Sequence, residues 1–249
     1  MKKLLWAAAL VGLMALWGWG RLLAQKGVRR RFVSPEAIEA VEAIEGYTWV
    51  SRLPQMRLIT ALAVARAVGK CSRGKAIDIG CGPGMLAIEL ARRAPGLEVV
   101  GLDLSEGMLE TARENASRAG LAEAVTFQGG DALDIPFSDA SFDLAVSTMS
   151  LHHWTEPVKV LNEIARILRP GGKFVVLDLR RDSWPFVWVL LWFATRFVVP
   201  APLRSLGEPL GSLKAAYTKA ELARLAILSH LPDWRIASGP GWLILESAR

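Results

Sequence analysis

Residues 76–84 read Ala-Ile-Asp-Ile-Gly-Cys-Gly-Pro-Gly, a short apolar run closing in three glycines spaced two apart. A helical pattern follows at once, with Met85, Leu86, Ile88, Leu90 and Ala91 set among Glu89, Arg92 and Arg93. A buried strand that turns through glycine into a helix leaves unpaired backbone N–H groups at the turn, and the helix dipole adds partial positive charge there. Glycine, lacking a Cβ, lets the backbone approach a ligand closely. Strand, glycine turn and helix start together are the means of holding a nucleotide-like ligand on an α/β sheet. An ordinary crossover turn without a ligand is the plain alternative, but three glycines and a carboxylate cost it stability.

The spacing separates two kinds of ligand. A dinucleotide fingerprint runs G-x-G-x-x-G, with its third glycine in the first helical turn. Here the pattern is G-x-G-x-G, and Met85 stands where that third glycine would be. Asp78, two residues before the first glycine, is poorly placed beside a pyrophosphate and well placed to accept from a ligand ammonium.

The following segments repeat the strand–helix rhythm. Residues 97–102 form an apolar strand ending in Asp103, an acid at a second strand tip that suits both hydroxyls of a ribose. Ser105 is available to cap the helix expected over 105–119, which leaves Asp103 free for a ligand. Residues 124–127 read as a third strand, followed by Gly129, Gly130 and Asp131; Asp131 there can accept from an adenine amino group. Residues 142–148 read as a fourth strand. Beyond it lie His152 and His153, then a helix capped by Thr155 and running to Leu168, then a fifth strand over 173–179. Strands alternating with helices imply a parallel sheet covered on both faces. Ligands bind such sheets at the carboxyl ends of the strands, and Asp78, Asp103, Asp131 and the histidine pair all fall at that edge.

The 249 residues suffice for one α/β domain and an appendage. Cys71 and Cys81 form no CxxC pair and suit a reducing compartment; with three histidines they suggest no metal site. The net charge of +6 comes without an arginine–aromatic platform, so an anionic membrane is a better partner than nucleic acid.

Two apolar stretches bear on that partner. Residues 4–20 carry no charge and include Trp6, Trp17 and Trp19; Lys2 and Lys3 precede them, and Arg21, Lys26, Arg29, Arg30 and Arg31 follow. Extended to residue 24, the run suits a membrane anchor with the domain on the cytoplasmic side, although a cleaved signal or an interfacial helix is compatible with its length. Residues 184–203 hold three tryptophans, three phenylalanines and a single charge, Arg196. They suit a helix lying in the membrane interface, with Trp188 and Trp192 as contacts; a lid buried against the domain is the plain alternative. Between the stretches, helices are expected over 33–46, ended by Gly46, and over 54–68, with Tyr47 and Trp49 between them as a ligand cover or as plain packing groups.

The segment from about Lys75 to Leu179 resembles the class I S-adenosylmethionine-dependent methyltransferases, of the type that includes quinone and small-molecule methyltransferases. AIDIGCGPG, VVGLDLSEGML, GGDALDIPFSDASFDLAVSTMSLHHW and EIARILRPGGKFVVLDL match that family's motifs in order. The resemblance implies a doubly wound, Rossmann-like seven-stranded sheet in the order 3-2-1-4-5-7-6 with strand 7 antiparallel. Two strand patterns, 234–238 and 242–246, and a capping box at Thr218 and Glu221 agree with it. It also implies S-adenosylmethionine as cofactor. Gly80, Cys81, Gly82 and Gly84 would wrap the methionine portion, with Asp78 near its amino group. Asp103 would bind the ribose, Leu104 and Met108 would lie near adenine, and Asp131 and Ala132 would meet the adenine edge; Ser147 joins this set.

The domain plan is then an N-terminal membrane segment and basic flank over 1–31, helices covering the cofactor site over 32–74, and a methyltransferase domain over 75–249 with its apolar insertion at 184–203. A small, hydrophobic or lipid-like acceptor entering from the bilayer fits this plan. Methyl transfer rests chiefly on alignment; an acceptor hydroxyl would also use a base, for which His152 and His153 are the candidates, though both can be structural. Two other readings stay open. One is a cofactor-binding protein without catalysis; the other is an NAD-type oxidoreductase, which Met85 and the C-terminal hairpin disfavour.

Overall fold

The computed structural model describes residues 18–20, 22, 31 and 41–248. The membrane helix expected over 4–24 lies outside them except at residues 18–20 and 22. Among the described helices none is long and apolar enough to cross a membrane.

Helices α1 (Val41–Ser51) and α2 (Pro54–Val68) precede β1 (Arg73–Ile79), α3 (Met85–Arg93), β2 (Gly96–Asp103), α4 (Glu106–Arg118) and β3 (Val125–Gly129). Then come β4 (Phe142–Thr148), a 3-10 turn at Leu151–His153, α5 (Pro157–Ile167) and β5 (Leu168–Leu179). The insertion folds as α6 (Pro185–Phe193), a π-turn (Ala194–Val198), α7 (Ala201–Ser205) and α8 (Leu210–Ala215). Helix α9 (Lys219–Leu228) and the hairpin β6 (Trp234–Ser238) and β7 (Trp242–Ser247) complete the chain.

The sheet runs β3-β2-β1-β4-β5-β7-β6, with β7 antiparallel to β5. Its central strands are buried on both faces, which is why β1, β2, β4 and β5 read as near-continuous apolar runs. One face packs Ile77, Leu102, Phe142 and Phe174 against Leu161 and Ile164 of α5 and Leu222 of α9. The other packs Val99, Leu144, Val146 and Leu177 against Val64 of α2 and Leu86 and Leu90 of α3. Arg66 of α2 pairs with the buried Glu246 of β7 at 2.9 Å, tying the N-terminal helices to the far side of the sheet. Ile79 pairs with Leu102, so Asp103 stands one residue past the end of β1, beside the glycine loop.

Several local expectations change. Gly46 does not end a helix; it lies inside α1, where a Cβ would come within 2.7 Å of the Leu203 side chain. Close packing of α1 on α7 thus accounts for that glycine. Tyr47 and Trp49 are accordingly helical and not in a connection. Helix α5 begins without a side-chain cap, with Glu156 at the cap position in place of Thr155. β5 starts at Leu168, before the expected 173. The capping box of α9 forms as expected: Thr218 Oγ1 accepts from Glu221 N, and Glu221 accepts from Thr218 N.

The insertion is two-sided. Trp188 is buried among Leu179, Leu213 and Ala216 and is no surface contact. Trp188→Ala should therefore destabilise the fold by about 3–5 kcal/mol, the usual cost of emptying a large aromatic site. Denaturant titration checks this; an unchanged midpoint would place the side chain outside the core.

Candidate functional site

A cleft of about 270 Å³ opens at the carboxyl edge of the sheet. Its two ends are chemically different.

At one end the wall is Gly80, Cys81, Gly82 and Pro83, then Asp103, Leu104 and Met108, then Asp131 and Ala132. Gly80 and Cys81 donate their N–H groups to Leu102 O, at 2.8 and 3.0 Å, which fastens the loop to β2. Gly82 has φ +50°, and a Cβ built there meets nothing within 4 Å. The space a side chain would fill at residue 82 is therefore open. Asp103 accepts from Gly82 N at 2.7 Å through Oδ2 and from Ser105 N at 3.0 Å through Oδ1. Burial raises its pKa, opposed by those backbone N–H bonds. Each carboxylate oxygen keeps lone-pair capacity for a ligand hydroxyl. Ser105 caps α4 through Met108 N, which keeps the Met108 backbone fixed beside the cleft.

Three residues expected to touch the ligand do not line the cleft. Gly84 faces inward: a Cβ there would lie 2.9 Å from Ala112 and 3.0 Å from Phe127, so its φ of +79° serves the packing of α3. Ser147 is buried and donates to Ile79 O at 2.7 Å, bracing β4 on β1. Asp78 is buried behind the loop; its Oδ2 accepts from Ala87 N at 3.1 Å, and its Oδ1 has no partner among the described residues. Burial pushes its pKa up to about 8.

At the other end the wall includes Tyr47, Met149, His152, His153, Leu179, Leu203 and Glu208. His152 sits in the 3-10 turn reached through Met149, whose φ is +56°. Its Nδ1 lies 2.8 and 3.0 Å from the two oxygens of Asp178. Asp178 also accepts from His152 N at 2.7 Å and Leu179 N at 2.6 Å, so neither partner can rotate freely. A carboxylate on Nδ1 selects the tautomer with Nε2 unprotonated. That Nε2 is buried and has no hydrogen-bond partner among the described residues. Burial lowers the His152 pKa, but the charge and hydrogen bond of Asp178, with Glu208 adding, outweigh it and hold the pKa above its usual value. His153 is half-buried, with its ring centroid 4.1 Å from that of His152.

Asp178 and Glu208 were not singled out from the sequence, and Arg31 was named only as part of the basic flank of the N-terminal run. Asp178 had a readable signal, an acid at a strand tip like Asp103. Glu208 had none, because the insertion's fold brings it to the cleft. Arg31 donates to His152 O at 2.9 Å and Ala215 O at 2.6 Å and lies 4.2 Å over the Tyr217 ring. It thereby holds the histidine turn against α8. Among the described residues no group of His, Cys, Asp and Glu is placed to bind a metal ion.

A family model described as Methyltransferase domain matches residues 77–176. A 2-phytyl-1,4-naphtoquinone methyltransferase of Nostoc punctiforme is 36% identical over 154 residues, 61% of this chain and 66% of the relative. The chain belongs to the class I S-adenosylmethionine-dependent methyltransferases. A demethylmenaquinone methyltransferase of Symbiobacterium thermophilum is 35% identical over 112 residues, 45% of each chain. A solved structure from Methanococcus maripaludis, itself a candidate S-adenosyl-L-methionine-dependent methyltransferase, superposes with TM-score 0.66 at 22% identity, covering 87% of this chain and 96% of that one. At that identity the likeness shows the methyltransferase fold. The chain spans about half the length of the first two curated relatives.

Proposed function

We propose that this protein transfers a methyl group from S-adenosylmethionine to a small apolar acceptor bearing a hydroxyl, of the quinol class. The observation that carries the reading is the His152–Asp178 pair, whose buried Nε2 has no hydrogen-bond partner among the described residues, with His152 lining the same cleft as the glycine loop and Asp103. Bound at the near end, S-adenosylmethionine supplies an electrophilic methyl on a sulfonium. The open space at Gly82 and the remaining lone pairs of Asp103 fit its sugar and amino-acid portions. Leu104 and Met108 offer apolar surface to adenine, and Asp131 an acceptor for its amino group.

The protein's part in the chemistry is alignment and one proton. His152 Nε2 takes the proton of the acceptor hydroxyl, and Asp178 stabilises the imidazolium that forms. Loss of that proton makes the oxygen, and the ring carbons conjugated with it, nucleophilic toward the methyl. Met149, Leu179 and Leu203 exclude water and favour an apolar ring. The relatives named for naphthoquinone and menaquinone substrates support the acceptor class. Attachment to the cytoplasmic face of a membrane through residues 4–24 belongs to the same proposal; it is supported by that run's apolarity and its heavier basic flank on the C-terminal side.

Asp103→Ala should weaken S-adenosylmethionine binding by about 1–3 kcal/mol, the cost of leaving polar partners unmet. Calorimetry on the folded variant measures it, and an unchanged affinity would remove Asp103 from the ribose site.

A further inference from the structure

Helix α6 presents three different faces, and only two are covered among the described residues. At 100° per residue, Val187, Trp188 and Leu191 share one face. Val187 and Trp188 are buried, and Trp188 and Leu191 pack with Leu179, Leu213 and Met149. Since Met149 and Leu179 line the cleft, this inner face backs the acceptor end. Pro185, Val189 and Trp192 share a second face. Trp19 and Gly20 lie on it: a Cβ at Gly20 would stand 2.6 Å from Pro185 O and 3.0 Å from Val189 Cγ2, and Trp19 meets Trp192 edge-on at 4.5 Å between ring centroids. Phe186, Leu190 and Phe193 form the third face and point away from both. They are 52%, 58% and 50% exposed, and Trp184 and Phe197 beside them are 58% and 59% exposed.

We infer that this third face is a lipid-docking surface, which seats the acceptor end of the cleft against an anionic bilayer.

Charge supports lipid over a second copy of the chain. No acid occurs from residue 183 to 207, while Arg196 and Arg204 are exposed there. A symmetric dimer through this patch would bring like charges together, whereas anionic headgroups would meet them. The chain leading to the neighbouring face of α6 supports it too. Residues 4–17, uncharged throughout, lead directly to Gly18, and Trp19 and Gly20 then lie on α6. Nine residues of α6 rise only about 14 Å, so the helix lies in the interface and does not span it. The inference goes beyond methyl transfer; only the naming of the seated end of the cleft as the acceptor end rests on the proposed function.

The test uses the full chain with Cys71→Ser, to remove the half-exposed thiol, and a fluorophore on Phe193→Cys or, for reference, on the exposed Glu123→Cys. Each protein is reconstituted with vesicles of phosphatidylcholine and phosphatidylglycerol containing lipids with a nitroxide on the acyl chain. The expected result is quenching several-fold stronger at position 193 than at 123, falling when phosphatidylglycerol is omitted. Equal quenching at the two positions, whether the face meets a second copy or stays in water, overturns the inference even if the protein anchors through its N-terminus. S-adenosylmethionine turnover, measured on the same samples, reports separately on the methyl-transfer reading.

Discussion

Gly82→Val is expected to lose S-adenosylmethionine binding below calorimetric detection while the domain stays folded. Two effects act together. At φ +50° a β-branched residue is strained, so the loop must shift. Its methyls would also enter the open space where no protein atom lies within 4 Å, which is the room a ligand needs. The loss spreads, because Gly82 N donates to Asp103 Oδ2, and a displaced loop releases the acid proposed to hold the ribose. Gly171 gives a matched control. It has φ +82°, also has nothing within 4 Å of a built Cβ, and lies on β5 away from the cleft. Gly171→Val should show comparable strain in denaturation with unchanged cofactor affinity. Normal binding by Gly82→Val would move the ligand away from this loop.

The second large effect concerns the histidine. His152→Ala should lower kcat about 10²–10⁴-fold, the usual worth of a positioned general base, with cofactor affinity unchanged because His152 stands at the other end of the cleft. The sign of the pH dependence follows from the form required. A base must be neutral, so kcat falls as pH drops through the His152 pKa, which Asp178 and Glu208 hold above the ordinary 6.5 despite burial. The activity limb should therefore rise with a midpoint above that value. Asp178→Asn removes the nearest raising charge, so its midpoint should move to lower pH. Its plateau should fall between those of wild type and His152→Ala, because an amide no longer enforces the Nδ1–H tautomer. A flat pH profile in wild type, or an Asp178→Asn midpoint shifted upward, would leave the dyad a structural pair.

The parts of this protein that were readable in advance are those whose physics is local. The strand–glycine–helix unit, the acid at the tip of β2, the Ser105 cap, the capping box at Thr218 and the final hairpin each follow from neighbours in sequence. The family resemblance carried by the motif order then implied the sheet order. What depended on the insertion's packing was not readable. Apolarity in residues 184–203 could not separate the buried Trp188 from the exposed Phe193, because composition carries no direction when every face of a helix is apolar. The role of Gly46 emerged only with Leu203 against it, and Glu208 became a cleft residue only through the turn between α7 and α8. Gly84 and Ser147 show the opposite error: they belong to site motifs yet serve packing and strand bracing. His152 was visible as a candidate, but its distinction from His153 needed Asp178, 26 residues away in sequence and 2.8 Å away in space.

The central claim is methyl transfer to an apolar hydroxylated acceptor, and one measurement addresses it directly. Full-length protein is incubated with S-adenosylmethionine and a reduced naphthohydroquinone carrying an apolar side chain, or with a lipid extract of bacterial membranes, and the products are resolved by mass spectrometry. The expected result is an acceptor heavier by one methylene, formed in equal amount with S-adenosylhomocysteine and lost in His152→Ala. Saturable S-adenosylmethionine binding with no S-adenosylhomocysteine formed on either acceptor would contradict it.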